Sequence, residues 1–132
     1  EEIKDKIKVI DWVNSYQYHV VVKDQNADFG ICPLTPNNFN YSKSDLKQIE
    51  YYASGIACIG TVFTNGMPSP YDNGFLNVND KCSVGDIQKI VDDYCDPEKY
   101  NELITKQYRF LIENHRYTED PHYITQLVKI FT

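Results

Sequence analysis

Hydrophobic positions along the chain fall into short β-branched runs followed by longer stretches at helical spacing. Ile7, Val9 and Ile10 form the first run, closed by Asp11-Trp12-Val13-Asn14-Ser15, which predicts a strand over 7–10 and then a loop. Residues 16–25 fit a short helix, although Val20-Val21-Val22 also suits a strand. Asp28-Phe29-Gly30-Ile31-Cys32-Pro33-Leu34 reads as a second strand, interrupted near its end by proline, and the Pro- and Asn-rich stretch 35–41 as a loop. Ser42 and Asp45 stand in capping-box spacing and predict a helix over 43–54, with Leu46, Ile49 and Ala53 as its apolar stripe. Gly55 supplies a left-handed stop.

Ile56-Ala57-Cys58-Ile59-Gly60 follows as a nearly all-apolar strand, the pattern of a sheet covered on both faces. Asn65-Gly66 and Asn73-Gly74 mark turns, and residues 75–78 a fourth strand. The remainder is helical. Ser83 caps with Asp86 three residues on, Asp96-Pro97 opens a second helix, and Thr118 a third with Ile124, Leu127, Val128 and Phe131 on one face. Strands alternating with helices through short links imply one α/β domain over 1–132. Its architecture is a Rossmann-like, partial parallel sheet with helices on both faces and a helical C-terminal segment. Ligands of such sheets bind at the carboxyl ends of the strands, where the loops 11–15, 35–41 and 61–70 are expected to meet.

Composition narrows the function classes. The net charge is −6, which disfavours phosphate backbones and anionic lipid as partners, so no nucleic acid is expected. No apolar run approaches the roughly twenty residues that span a bilayer, and the start Glu1-Glu2-Ile3-Lys4-Asp5-Lys6 lacks a signal-peptide layout. That start resembles the tail of a helix, so a truncated N-terminus is expected. Cys32, Cys58, Cys82 and Cys95 lack close-paired spacing, and Cys32 and Cys58 sit in apolar strands, which favours buried free thiols in a reducing, cytoplasmic setting. The inner face of a membrane is reachable only through other parts of the chain. His19, His115 and His122 are scattered and give no metal-ligand pattern.

The candidate chemistry lies in Tyr41-Ser42-Lys43-Ser44-Asp45-Leu46-Lys47-Gln48-Ile49-Glu50-Tyr51. A helix start presents free amides and the positive end of its dipole to an anion. Lys43 and Lys47, four apart, add charge on one face. Glu50, eight residues past Ser42 and so about 12 Å along the axis, suits a ribose whose hydroxyls a carboxylate accepts. The same spacing equally describes a capped surface helix with Lys47 and Glu50 as a solvated pair. Asp28-Phe29-Gly30 spells a protein-kinase motif, but no glycine-rich phosphate loop or catalytic loop accompanies it.

Residues 28–34, 43–51 and 55–59, in that order and spacing, closely resemble the C-terminal domain of retaining glycosyltransferases of the GT-B fold. More narrowly they resemble the glycosyltransferase family 4 group (glycosyl transferases group 1). Ile7, Val9 and Ile10 with Asp11-Trp12-Val13 resemble the strand and loop bordering the base, and Asn73-Gly74-Phe75-Leu76 the turn before the last strand, so the likeness spans about 7–115. It implies that this chain is the second half of a domain binding a UDP- or GDP-linked sugar, as substrate and without a cofactor or metal. The sugar would pass to a glycan, lipid-linked or protein acceptor.

Carried over, the second motif glutamate is Glu50, implying ribose binding. The amides facing diphosphate and sugar fall on Ser44, Asp45 and Leu46, and the loop backbone facing the base falls near Val13. The first motif glutamate would be residue 42, which here is Ser42, and Lys43 and Asp45 replace the family's glycines, with Lys43 and Lys47 supplying charge instead. The family's basic pair and acceptor-binding domain have no counterpart in the sequence, so this segment alone is expected to be inactive, and its open sheet edge to invite self-association. The rival readings are a non-catalytic module that kept the fold and lost the donor site, and a flavodoxin-like or receiver-type domain.

Overall fold

The strand formed by Ala57–Val62 is buried along nearly its whole length, as a continuous run of small and branched apolar residues demands when both sheet faces are covered. In the computed structural model, which describes residues 6–114, it is the middle of a three-stranded sheet. The strands are β1 (Phe29–Cys32), β2 (Ala57–Val62) and β3 (Leu76–Asn79), in the order β1-β2-β3. Both pairings are parallel, with Phe29 opposite Ala57 and Ile59 opposite Leu76. The helices are α1 (Ser15–Asp24), α2 (Asn38–Tyr41), α3 (Leu46–Ala53), α4 (Val84–Asp93) and α5 (Pro97–Asn114). This is the mixed α/β, partial Rossmann-like architecture expected from the sequence.

The alternation of side chains along each strand separates two cores. On one face, Ala57, Ile59, Leu76 and Val78 pack with Leu103 of α5, and Ile87 and Ile90 of α4 close over them. On the other, Cys32, Cys58, Tyr52 and Tyr71 cluster with Tyr51, Phe110 and Leu111, bringing α3 and the second half of α5 against the sheet. The rings of Tyr52, Phe75 and Phe110 stack in edge or tilted contacts at 5.9–6.3 Å, locking α3 to α5.

Local signals behave as their chemistry dictates at three places. Gly55 takes φ 72° and ends α3 in a Schellman arrangement, its amide donating to Tyr52 O (3.2 Å) and that of Ile56 to Tyr51 O (3.0 Å). Ser83 and Asp86 form a complete capping box on α4. Asp96 accepts from the Lys99 amide at 2.9 Å, and Pro97 starts α5.

Several expectations need correction. Residues 7–10 form no strand: Ile7 and Val9 are exposed and the backbone has no ladder partner. A run that short gains nothing from β-propensity without a neighbouring strand. Among the described residues the sheet therefore has three strands rather than four. Residues 16–25, open between helix and strand, are helical as α1, capped by Asn14, whose side chain accepts from Gln17 N. The stretch 35–41 is not all loop, because the Asn37 side chain caps one turn of helix at the Asn40 amide (2.9 Å). The helix expected over 43–54 begins only at Leu46, and Ser42 and Asp45 form no capping box: Ser42 Oγ turns back to Asn38 O (3.4 Å), and Asp45 gives no side-chain cap. The helix expected from Thr118 lies outside the described residues.

Two glycines carry the close packing of the second core. A Cβ on Gly60 would lie 2.5 Å from Cβ of Tyr71, and one on Gly30 would lie 2.6 Å from the Tyr51 ring. Gly60→Ala is therefore expected to destabilise by roughly 1–3 kcal/mol. Gly85→Ala, in the first turn of α4 with only Ser83 Oγ nearby at 3.5 Å, should stabilise by about 0.4–1 kcal/mol. Urea midpoints of the two variants check both signs. A Gly60→Ala midpoint equal to or above that of the wild type would contradict the packing assigned to Gly60.

Candidate functional site

The carboxyl end of β1 is fixed by Thr61 on the neighbouring strand. Its hydroxyl donates to Cys32 O (3.1 Å) and accepts from Leu34 N (3.3 Å), which carries the β1–β2 junction past the last ladder pair. Beyond it, Ser69 Oγ donates to Thr61 O and accepts from Tyr71 N (3.2 Å), while Asp72 accepts from Ser69 N (2.9 Å). These bonds seat Tyr71 on Gly60. The 35–41 and 61–70 segments also meet at this end, through Asn65 Nδ2 donating to Tyr41 Oη (2.8 Å) and the edge contact of Tyr41 with Phe63.

A crevice of about 420 Å³ opens between this strand end and the start of α3. Its walls are Ile31–Leu34, Lys43, Ser44, Leu46, Lys47, Tyr51 and Tyr71. The first intrahelical bond of α3 is Ile49 N to Asp45 O (3.1 Å), so the amides of Leu46, Lys47 and Gln48 belong to the first turn, whose dipole end is positive. Lys43 and Lys47 are the charged side chains lining the crevice, and no carboxylate joins them. In a chain of net charge −6, this is a small local concentration of positive charge, offset in part by Glu50 behind Lys47. Lys43 Nζ rests 4.9 Å from the centre of the exposed Phe39 ring.

A second cleft, about 550 Å³, lies along the outer side of β1. Residues 10–13 and α1 form its far wall, and it shares Ile31 and Tyr51 with the crevice. Val13 lines this cleft, so it and the lysines are placed in adjoining hollows on either side of Ile31 and Tyr51.

Glu50 is elsewhere. It stands apart from the crevice lining, largely buried, with its carboxylate 2.9 Å from Lys47 Nζ. Lys47 also donates to the Tyr18 hydroxyl and lies 4.4 Å from the centre of that ring. Burial pulls the Lys47 pKa down, but the hydrogen bonds to Tyr18 and Glu50, with the charge of Glu50, outweigh it and hold the ammonium above its ordinary 10.5. The carboxylate thus fixes the cation that faces the crevice rather than facing it itself. Ser42 is exposed and outside the crevice, whereas Ser44 and Leu46 line it and Asp45 is the N-cap of α3.

Sequence reasoning missed three participants. Tyr18 reaches Lys47 across 29 positions, and Tyr71 arrives from the β2–β3 connection; neither is marked by local spacing. Cys32 was read as a buried strand thiol, and it is also part of the crevice wall, which its place at the last residue of β1 could have indicated. Among the described residues no group of three or more His, Cys, Asp or Glu could hold a metal ion, and no helix is long and apolar enough to cross a membrane.

Because the folded pKa of Lys47 is raised, its contribution to stability is complete below 10.5 and is lost as pH rises through the folded value. Lys47→Met should therefore cost at least the roughly 0.2–1 kcal/mol of an exposed pair, since it leaves the largely buried Glu50 without its partner, a cost constant from about pH 6 to about pH 9 and shrinking only above that range. Urea midpoints of wild type and variant across pH check this. A difference that already vanishes by about pH 8 would contradict the assigned network.

Comparison of the chain with family models, with curated proteins and with solved structures gives no match.

Proposed function

We propose that this chain binds a nucleoside-diphosphate sugar and forms the donor-binding part of a retaining, GT-B-type hexosyltransferase. The observation that carries the reading is the crevice at the carboxyl end of β1, where Lys43, the Glu50-paired Lys47 and the first turn of α3 converge and no carboxylate joins the lining. A diphosphate is the ligand class that uses two lysines and a helix start together. The adjoining cleft, with Val13, Tyr18 and Tyr51 in its walls, has the size and the aromatic lining to take a base and its ribose. In this reading Lys47 neutralises the diphosphate that departs with the nucleoside, Glu50 holds Lys47 in place, and the sugar passes to a glycan, lipid-linked or protein acceptor bound by other parts of the enzyme.

Glu50 contacts ribose only by releasing Lys47 when the ligand arrives, so its role differs from the simple one implied by the resemblance. The rival, a module that kept the fold and lost the donor site, draws on one specific observation. Ser42, at the position of the family's first glutamate, is turned back onto Asn38 and takes no part in the crevice.

Calorimetric titration of the intact protein with UDP, GDP and uridine separates the two. Lys43→Met with Lys47→Met should weaken UDP or GDP roughly ten- to hundredfold, the effect of losing a charged hydrogen bond of about 1.5–3 kcal/mol, and leave uridine unchanged. Glu50→Ala should weaken all three if it reaches ribose, and only the diphosphates if it acts through Lys47. No binding of either diphosphate at millimolar concentration, or equal affinity in the double-lysine variant, favours the module.

A further inference from the structure

One face of the β1–β2 pair is a square of four small residues. Gly30 stands opposite Cys58, and Cys32 opposite Gly60. Each cysteine faces a glycine across the ladder, so nothing separates the two side chains on the diagonal, and their sulfurs lie 3.6 Å apart. Both residues are free thiols, buried to 4% and 1% exposure. We propose that Cys32 and Cys58 form a redox-active dithiol, in which a hydroperoxide oxidises Cys32 and Cys58 resolves the product to an intramolecular disulfide.

Geometry divides the roles. Cys32, though only 4% exposed, is part of the crevice wall beside Lys47, which makes the crevice the route by which a small oxidant would approach it, whereas Cys58 lies outside that wall. The hydrogen bond with Cys58 favours the Cys32 thiolate, burial opposes it, and the Tyr71 hydroxyl and the charge of Lys47 add to the first effect. Cys58 is pushed the opposite way by the same partner and by burial, and so keeps its proton. Closing 3.6 Å to a sulfur–sulfur bond of about 2.05 Å takes side-chain rotation together with a backbone displacement of β1, because diagonal neighbours in a sheet stand about 7–8 Å apart at Cα; β1 is an edge strand, paired on one side. The other two cysteines are placed apart: Cys82 packs in the core on the opposite face, and Cys95 is exposed with its thiol on Val91 O.

The chemistry balances with the hydroperoxide as oxidant. The Cys32 thiolate attacks the terminal peroxide oxygen, the O–O bond breaks, and Cys32 becomes a sulfenic acid as hydroxide leaves and takes up a proton. The sulfur of Cys58 then attacks the sulfur of Cys32. The S–S bond forms, the S–O bond breaks, and the sulfenic hydroxyl leaves as water with the Cys58 proton. Two thiols and one hydrogen peroxide give one disulfide and two waters. None of this depends on nucleotide binding, so each proposal can fail without the other.

The test uses the chain carrying Cys82→Ser and Cys95→Ser, folded by circular dichroism, treated with hydrogen peroxide, alkylated and digested with trypsin. The cysteines then sit on separate peptides, 24–43 and 48–81. The expected result is a cross-link between these peptides that dithiothreitol reverses. In a further Cys58→Ser variant, dimedone should label Cys32, and in Cys32→Ser the oxidation of Cys58 should be at least about tenfold slower. Should the two serine background changes unfold the chain, the same peptides are mapped in the wild type. Thiols that survive peroxide, a Cys32 sulfenic acid that accumulates beside an intact Cys58, or a cross-link that forms only in urea would overturn the pair. Equal labelling of Cys58 would overturn its role as resolving thiol.

Discussion

Everything else in this structure leans on a patch of sheet with almost no side-chain height. Gly30, Cys32, Cys58 and Gly60 tile one face of β1 and β2, and the rings of Tyr51 and Tyr71 lie directly on the two glycines. A methyl group at either glycine would fall within van der Waals contact of a ring or its Cβ, so the floor and the aromatic layer specify one another. Tyr52, next to Tyr51 on α3 and in the same cluster, is fully buried and continues through Phe75 and Phe110 to α5. The tyrosine-rich composition is thus used as tall pieces over small ones, each ring removing a large apolar area from water.

That close approach sets where the chemistry can be. Tyr51 and Tyr52 belong to α3, so seating them on the sheet brings the first turn of α3 to the end of β1, with Lys43 and Lys47 over the crevice. Tyr71 is seated by the Ser69 and Asp72 bonds and supplies the opposite wall. The two short residues that make room for the rings are also the reason that two thiols can meet on the diagonal. One packing solution therefore gives both the lysine-lined crevice and a sulfur pair whose Cys32 member borders it.

The sequence made the fold class legible because its signals are local. The all-apolar run of β2, the glycine stop at Gly55 and the Ser83 capping box each act within a few residues, and each stands where it was read. Residues 7–10 carry a genuine β pattern and still form no strand, because strand formation needs a partner that no local pattern encodes. The start of α3 was misread for a related reason. Ser42 has a hydrogen-bonding alternative in the turn of α2, a turn that the Pro- and Asn-rich composition concealed. At the site the two lysines do line one crevice, but not as a pair on one helix face, because Lys43 precedes α3; the joint attachment of Lys47 to Tyr18 and to Glu50 depends on α1 folding back, which spacing cannot reveal.

The central claim is that a diphosphate belongs between the end of β1 and the first turn of α3. Amide chemical shifts of the isotopically labelled protein, followed during titration with UDP, test it residue by residue. The largest changes are expected at Ile31, Cys32 and Leu34, at Ser44–Lys47 and at Tyr51, with a second group at Val13 and Tyr18 around the adjoining cleft. Changes confined to the opposite face, around Val91, Tyr94 and Tyr100, would contradict it, as would a spectrum that UDP leaves unmoved.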